Sequence, residues 1–284
     1  MPGIAREAVR QAARRDEPDR YLAALLAPAA SQPDLLTLAA FTGEVARIPA
    51  TVSDPLIGEI RLQGWRDATE AGTRGESTGH PVADAIGATI RARGLGLGRF
   101  LEIIDARAFD LSGELHSGDA ALARYMAATE GLPFALGHEI LTGQALPHDL
   151  AAKAGLAFGL ARALGRLPAL LHNGGFPLPE PLLTGHGVIR SMLAERPFAA
   201  ATISGVETAA KILEGRAWAA LAEVRSGLAR HKLQVSAALL PLAMVEPYFG
   251  AQKGAGFHRL EQIAEVLPLT RVWRLAKARL MARI

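Results

Sequence analysis

Helix starts follow one another along the whole chain and constrain its fold more than any other sequence feature. Asp54-Pro55 and His80-Pro81 each place a capping side chain before a proline that suits the first helical turn, and Asp119 and Asp149 precede further apolar-periodic runs. Alanine and leucine dominate between these signals, and the β-branched and aromatic runs typical of strands are scarce. We therefore expect an all-α protein. The predicted helices cover residues 19–27, 33–48, 55–70, 81–92, 98–111, 119–145, 149–172, 198–229, 233–248 and 259–283.

The sequence predicts one domain. Its 284 residues suit one large domain, and no linker, low-complexity tract or repeat divides them. Residues 1–18 are predicted to be a short basic lead-in without the apolar segment of a secretory signal. Residues 19–284 are predicted to form a single helical domain.

Composition excludes several classes of function. The absence of cysteine excludes disulfides and thiolate metal sites, and the histidines form no zinc-binding pattern. A net charge of +3, dispersed along the chain, does not favour nucleic acid as a partner. The apolar stretch at residues 235–245 is too short to span a bilayer. We expect a cytoplasmic protein, free or at the inner face of the cytoplasmic membrane, or a mitochondrial matrix protein if the source is eukaryotic.

The stretch from Ala151 to Phe176 contains no Asp or Glu. It is predicted to be a helix of small residues, followed by a basic, glycine-rich turn at residues 172–175 and then by Leu178-Pro179. This order resembles the second metal-binding segment of squalene and phytoene synthases, in which an Asp-x-x-x-Asp type motif holds magnesium on a prenyl diphosphate. Counting back from Leu178-Pro179 places the two ends of that motif on Arg166 and Leu170. Neither side chain offers the hard oxygen ligands that magnesium requires.

The N-terminal half lacks the matching motif. Phe41 and the run from Arg61 to Asp67 are similar in order to the first half of that family, where an apolar helix leads into an Asp-Asp-x-x-Asp motif. Aligning Phe41 with the phenylalanine of the family puts Ala46, Arg47 and Ala50 at the motif positions. Both aspartate-rich motifs are therefore predicted to be lost.

Acidic pairs elsewhere leave a relocated metal site open. Carboxylates three or four residues apart share a helix face and can bridge an ion. The favoured interpretation is a solvated face whose acids pair with nearby arginines. The pairs are Asp67 with Glu70, Glu102 with Asp105, and Glu261 with Glu265.

The resemblance extends over residues 19–283 and implies the isoprenoid-synthase fold, a helical bundle around a central cavity. Residues 44–47, the run from Pro55 to Asp67 and His186-Gly187-Val188 are similar to a divergent branch of the family. That branch contains the mitochondrial complex I assembly factor with a phytoene-synthase-like domain and its proteobacterial relatives. It keeps the fold without the metal aspartates.

Three functions stay open. The first is a pseudoenzyme that assists the assembly of respiratory complex I or a similar membrane complex, with membrane-complex subunits as partners and no cofactor. The second is an enzyme, a transferase that joins prenyl diphosphates head to head and needs Mg²⁺. The third is an isoprenoid or lipid carrier. The resemblance assigns no catalytic, cofactor-binding or metal-ligating residue, and Arg47, Arg61 and Arg166 are the candidate contacts with a cavity or an anion.

The C-terminal stretch from Arg271 to Ile284 is amphipathic. On a helical wheel Trp273, Leu280 and Ile284 lie within about 40° of one another, with basic residues on either side. Such a helix could lie on an anionic membrane surface, which makes peripheral membrane contact a candidate. The favoured interpretation is a last helix that packs on the bundle with a basic outer face.

Overall fold

The computed structural model describes residues 3–172, 176–254 and 256–284. Within these ranges the chain is helical, and the β structure consists of an isolated bridge between Leu115 and Phe176, which confirms the predicted all-α class. The α-helices are α1 (Gly3–Asp16), α2 (Pro18–Leu25), α3 (Gln32–Arg47), α4 (Pro55–Arg74), α5 (Pro81–Arg93), α6 (Leu97–Ala106), α7 (Phe109–Ser112), α8 (Asp119–Met126), α9 (Leu132–Thr142), α10 (His148–Leu164), α11 (Leu167–His172), α12 (Glu180–Thr184), α13 (Ala200–Arg230), α14 (Val245–Ala251) and α15 (Pro268–Met281). A π-helical turn (Ala127–Gly131) joins α8 to α9, and turns of 3-10 helix cover Pro49–Thr51, Arg190–Leu193 and Ala237–Met244.

The ends of α4 and α5 show why helices form where the sequence signals them. The Asp54 side chain accepts a hydrogen bond from the Leu56 amide at 2.9 Å, and the His80 ring accepts one from the amide of Ala83 at 3.4 Å. These bonds satisfy amides that have no partner within the first turn of a helix. Gly75 ends α4 with a φ of 89°, a left-handed conformation that glycine adopts without a steric penalty.

Five predicted helices differ from the observed ones. The run 98–111 is divided into α6 and α7, and the run 149–172 is divided into α10 and α11. The run 119–145 is interrupted by the π-helical turn just before Pro133, a residue that cannot donate a backbone hydrogen bond. The run 233–248 becomes a 3-10 helix around Pro241 followed by α14. The run 259–283 becomes helical only at Pro268.

Helix α10 is the central helix of the bundle, and it packs on α13 and on the π-helical turn. Phe158, Leu160 and Leu164 on this helix are fully buried. A Cβ on Gly155 would lie 2.4 Å from the backbone nitrogen of Gly131, so the two backbones meet where a side chain would not fit. The lack of acids on this helix after Asp149 therefore follows largely from its burial, because a carboxylate buried without a partner is costly.

The basic segment that the sequence set apart as residues 1–18 contains helix α1. Val9, Ala12 and Ala13 on α1 belong to the same buried cluster as the rest of the core, and α1 packs against α3. Arg15 reaches Glu44 on α3 at 2.9 Å. The described part of the segment is therefore packed against the bundle, because alanines let the two helices approach closely.

Candidate functional site

A cavity of about 180 Å³ lies at the centre of the helical bundle. Ala46 and Ala50 reach it from the end of α3 and the following turn, whereas Arg166 and Leu170 reach it from the chain beyond α10. Both segments in which the sequence placed a lost acidic motif therefore face one cavity. Its wall is formed by Glu17, Ala46, Pro49, Ala50, Arg107, Phe109, Asp110, His116, Tyr125, Met126, Thr129, Glu130, Gly159, Arg162, Ala163, Arg166, Ala169, Leu170, Phe176 and Pro177.

These four motif positions supply no metal ligand. Ala46, Ala50 and Leu170 have no side-chain oxygen, and Arg166 brings a positive charge. Arg166 forms no ion pair with a described residue, and its pKa is lowered from the ordinary arginine value by partial desolvation in the cavity wall and by the nearby positive charge of Arg162. The wall contributed by the former motif segments is thus neutral or basic.

The three arginines predicted as anion contacts do not form one cluster. Arg166 lines the central cavity, whereas Arg47 and Arg61 border a separate surface groove beside Trp65. Arg47 lies 3.7 Å from Glu44, and Arg61 donates a hydrogen bond to the Thr51 hydroxyl at 3.1 Å. Of these three predicted arginines, Arg166 is the one that can contact a molecule in the cavity.

Carboxylates enter the cavity wall from other helices, and each of them is held by arginine. Glu17, between α1 and α2, accepts hydrogen bonds from Arg162 at 3.1 Å and from Arg20 at 2.7 Å. Glu130, in the π-helical turn, accepts one from Arg20 at 2.9 Å and lies 3.5 Å from Arg162. These four side chains, Glu17, Arg20, Glu130 and Arg162, are called the buried ion network below.

The network fixes the charge state of Glu17. Burial alone would raise its pKa, but the positive charges of Arg162 and Arg20 outweigh burial and hold the pKa at about 2. Arg20 also lies over the rings of Phe134 and Phe158, at 5.1 and 5.0 Å from their centroids. Glu17 is therefore ionised at neutral pH, and both its oxygens accept hydrogen bonds.

A second group of polar side chains closes the other side of the cavity. The Tyr125 hydroxyl donates to Asp110 at 2.6 Å and accepts from Arg107 at 2.8 Å, and burial raises the pKa of Tyr125 well above its ordinary value. His116 stacks on Phe109 with ring centroids 4.3 Å apart, and burial lowers its pKa to about 4. His116 is thus neutral at physiological pH.

The donor set of the cavity does not fit magnesium. Within the described part of the chain, no group of three or more Asp, Glu or His side chains is placed to hold a metal ion. Magnesium needs a near-octahedral shell with carboxylates free to bind it. In the cavity wall and the buried ion network, the carboxylates instead form ion pairs with an equal number of arginines, and Arg166 adds a further positive charge. The carboxylates are Glu17, Asp110 and Glu130, and their arginine partners are Arg20, Arg107 and Arg162.

Sequence reasoning did not identify the buried ion network, because its members are far apart in the chain. Glu17 and Arg162 are separated by 145 positions, so no local spacing links them. One signal was available: Arg162 lies in the small-residue stretch from Ala151 to Phe176 that contains no acid, where a buried guanidinium requires a carboxylate from elsewhere. The predicted turn beyond this helix contains Asn173, Gly174 and Gly175, which lie outside the described residues.

Solved structures with the same architecture include a squalene synthase and a dehydrosqualene synthase. This chain aligns over 98% of its length with squalene synthase HpnC from Alicyclobacillus acidocaldarius, covering 94% of that chain with a TM-score of 0.69 and 17% sequence identity. It aligns over 98% of its length with a dehydrosqualene synthase solved in complex with a ligand, covering 96% of that chain with a TM-score of 0.78 and 16% identity. These likenesses confirm the predicted isoprenoid-synthase-like fold.

Curated relatives carry a different name. The chain is 30% identical over 176 residues to NADH dehydrogenase (ubiquinone) complex I, assembly factor 6 of Mus musculus, and 28% identical over the same length to that of Homo sapiens. The match covers 62% of this chain and spans about half, 53%, of the length of each relative. A sequence model of squalene/phytoene synthases matches residues 13–273. The chain therefore belongs to the squalene/phytoene synthase family.

Proposed function

We propose that this chain is a non-catalytic member of the squalene/phytoene synthase family that assists the assembly of respiratory complex I or a similar membrane complex. One structural observation carries the proposal: the carboxylates of the cavity are bound to arginines, and the two former motif segments supply none. The curated relatives named as complex I assembly factors support the assembly role. Its partners would then be subunits of that complex, at the membrane face on which they are assembled.

Charge explains why the cavity is a poor catalyst for prenyl transfer. Ionising a prenyl diphosphate requires stabilisation of the negative charge that develops on the leaving group, which metal ions held by carboxylates supply. Here Glu17 and Glu130 already neutralise arginines, so they cannot recruit a divalent cation without losing those partners.

The transferase remains the second candidate, because the family and the solved neighbours fit it. Arg166 is the group on which it would depend, since this guanidinium faces the cavity without a carboxylate partner among the described residues. Arginine forms strong bidentate contacts with phosphate oxygens. Substitution of Arg166 thus separates the two candidates.

The assembly role is tested by deleting the gene and measuring NADH:quinone oxidoreductase activity and the membrane-arm content of isolated membranes. We expect both to fall, and both to be restored by the wild-type chain and equally by Arg166→Gln. Arg61→Gln, on the separate groove, is the matched control for loss of one arginine. Unchanged activity in the deletion strain would overturn the assembly role.

The transferase is tested with purified protein, farnesyl or geranylgeranyl diphosphate and Mg²⁺. We expect no release of pyrophosphate above the protein-free control. Magnesium-dependent release of pyrophosphate that is abolished in Arg166→Gln and retained in Arg61→Gln would show that the chain is a transferase.

The carrier hypothesis is tested by native mass spectrometry after incubation with extracted lipids, in which we expect no bound isoprenoid.

A further inference from the structure

The last helix, α15, carries a row of large apolar side chains on its outer face. Leu269, Trp273 and Leu280 are 83%, 67% and 88% exposed, and Val272 lies beside them at 50%. With 100° of rotation per residue the first three lie within about 40° of one another and form a row about 16 Å long. Isolated exposed leucines are common on protein surfaces, but a continuous row of this kind marks an interaction site.

The orientation of this row is fixed by contacts on the opposite face of α15. Leu275 and Ala278 are buried in the core, and Arg271 forms an ion pair with Asp19 and donates to the Tyr248 hydroxyl. Rotation of the helix to bury the apolar row would break all of these contacts. The outward position of Trp273 is therefore a property of the packed helix.

Cations without partners border the row on both sides. Lys277 lies about 60° from Leu280 around the helix on one side, and Arg279 lies about 100° away on the other. Arg283 follows just after the helix, and all three basic side chains are exposed and form no ion pair with a described residue. By contrast, Arg274 on the same helix is paired with Glu246 at 2.8 Å.

We propose that α15 docks this protein flat on an anionic lipid bilayer, with its leucines and Trp273 in the interfacial region and its unpaired cations on lipid phosphates. Charge complementarity selects this occupant. Helices with an apolar face and basic flanks bind anionic interfaces, and tryptophan prefers that region.

Such docking is peripheral. Among the described residues there is no helix with both the length and the apolar character required to cross a bilayer. The inference goes beyond the proposed assembly role and does not depend on it, because a membrane-bound transferase or carrier would use the same face.

The test is flotation of the purified full-length chain with vesicles of phosphatidylcholine alone or of phosphatidylcholine with phosphatidylglycerol. We expect binding to the anionic vesicles only, weakened by salt. The emission of Trp273 should shift to the blue on binding, and the Trp273→Phe variant should lose most of that shift while still floating.

Pairs of matched variants distinguish binding through α15 from binding through the net charge of the protein. Lys277→Gln with Arg279→Gln should weaken binding about thirtyfold, whereas Arg6→Gln with Arg14→Gln on α1 removes the same charge and should change it less than threefold. Leu269→Ser with Leu280→Ser should weaken binding at least tenfold. Circular dichroism melting checks that each variant is folded.

Three outcomes would overturn the proposal. One is failure of the wild-type chain to float with anionic vesicles. This outcome includes the case in which the chain does not float but α15 binds a subunit of a membrane complex in detergent solution. Another is equal binding to neutral and anionic vesicles. The third is an equal loss of binding in the α1 control variant, which would assign binding to net charge.

Discussion

Replacing Arg162 with methionine tests whether the buried ion network controls the stability of the cavity wall. Arg162 donates to both oxygens of Glu17, each at 3.1 Å, and their side chains are only 15% and 4% exposed. Methionine keeps much of the apolar stem of arginine and its contact with the Phe158 ring, but it removes the charge. Glu17 then keeps only Arg20 as a cation partner.

The size of the loss can be worked out in two ways. Removing one member of a buried ion pair costs about 3–5 kcal/mol, because it leaves an uncompensated charge. The pKa of Glu17 falls from 4.5 to about 2 in the folded protein. At about 1.4 kcal/mol per pKa unit this shift amounts to roughly 3 kcal/mol for the whole network. Since Arg20 remains, we expect Arg162→Met to lower the free energy of unfolding by about 3 kcal/mol.

The sign of the pH dependence follows from the same shift. The folded pKa of Glu17 lies below its unfolded value, so its pairing stabilises the protein fully above pH 4.5 and is lost as the pH falls from 4.5 towards 2. In Arg162→Met the pKa of Glu17 rises. The variant should therefore lose less stability than the wild type over that pH window.

Urea denaturation followed by circular dichroism measures both effects. Adding Glu17→Gln to Arg162→Met removes the carboxylate charge that has lost its Arg162 partner. The double variant should regain about 1–2 kcal/mol in the free energy of unfolding. Arg74→Met is the surface control, because Arg74 pairs with Glu76 and both side chains are more than half exposed, so it should cost less than about 0.5 kcal/mol. A loss below about 1 kcal/mol in Arg162→Met, or a further loss on adding Glu17→Gln, would refute the reasoning.

The remaining predictions concern a histidine, a helix contact and the metal. His116→Phe keeps a ring stacked on Phe109 but removes a group whose pKa burial lowers from 6.5 to about 4. The wild type should therefore lose about 3 kcal/mol relative to this variant as the pH falls from 6.5 to 4, and parallel stability curves in urea would contradict it. Gly155→Ala forces a Cβ against the Gly131 backbone and should lower the free energy of unfolding by about 2 kcal/mol or more. Gly64→Ala has open space around it and should stabilise α4 by about 0.5–1 kcal/mol. Equal melting temperatures of the two variants would contradict the close approach of Gly155 to Gly131. Magnesium should raise the melting temperature no more than sodium chloride of equal ionic strength, and a rise reversed by a chelator would reveal a metal site.

The starts of α4 and α5 could be predicted from local signals, whereas the packing of α1 and the π-helical turn could not. The caps and prolines of α4 and α5 fix their first turns, and their observed starts match the prediction. Helix α1 carries arginines on its outer face and only Val9 and small alanines on its inner face. Its sequence therefore has too weak an apolar pattern to indicate that it packs on the core. The π-helical turn before Pro133 reflects the contact of Gly131 with α10, which is tertiary and leaves no local pattern.

Part of the candidate site could likewise be predicted from the sequence, and part of it could not. The positions of Ala46, Ala50, Arg166 and Leu170 came from the order of segments in the chain, and the structure brings all four to one cavity. The arginine partners of the carboxylates depend on helix packing, and the network joins positions 17 and 162. Such a pairing requires the assembled bundle, because no helical spacing encodes it.

The location of the predicted motif positions explains why the fold does not depend on carboxylates there. Ala46 and Leu170 are half-buried, and Ala50 and Arg166 are exposed, so all four face the cavity and none belongs to the buried core. The contacts that hold the bundle together lie elsewhere, in the close approach of α10 to the π-helical turn and in its packing on α13. Exchanging carboxylates for alanine, leucine or arginine at a cavity surface removes no core packing and relieves repulsion between like charges. Substitutions at these four positions are therefore expected to cost little stability, and the TM-score of 0.78 shows that the overall fold is shared with the dehydrosqualene synthase.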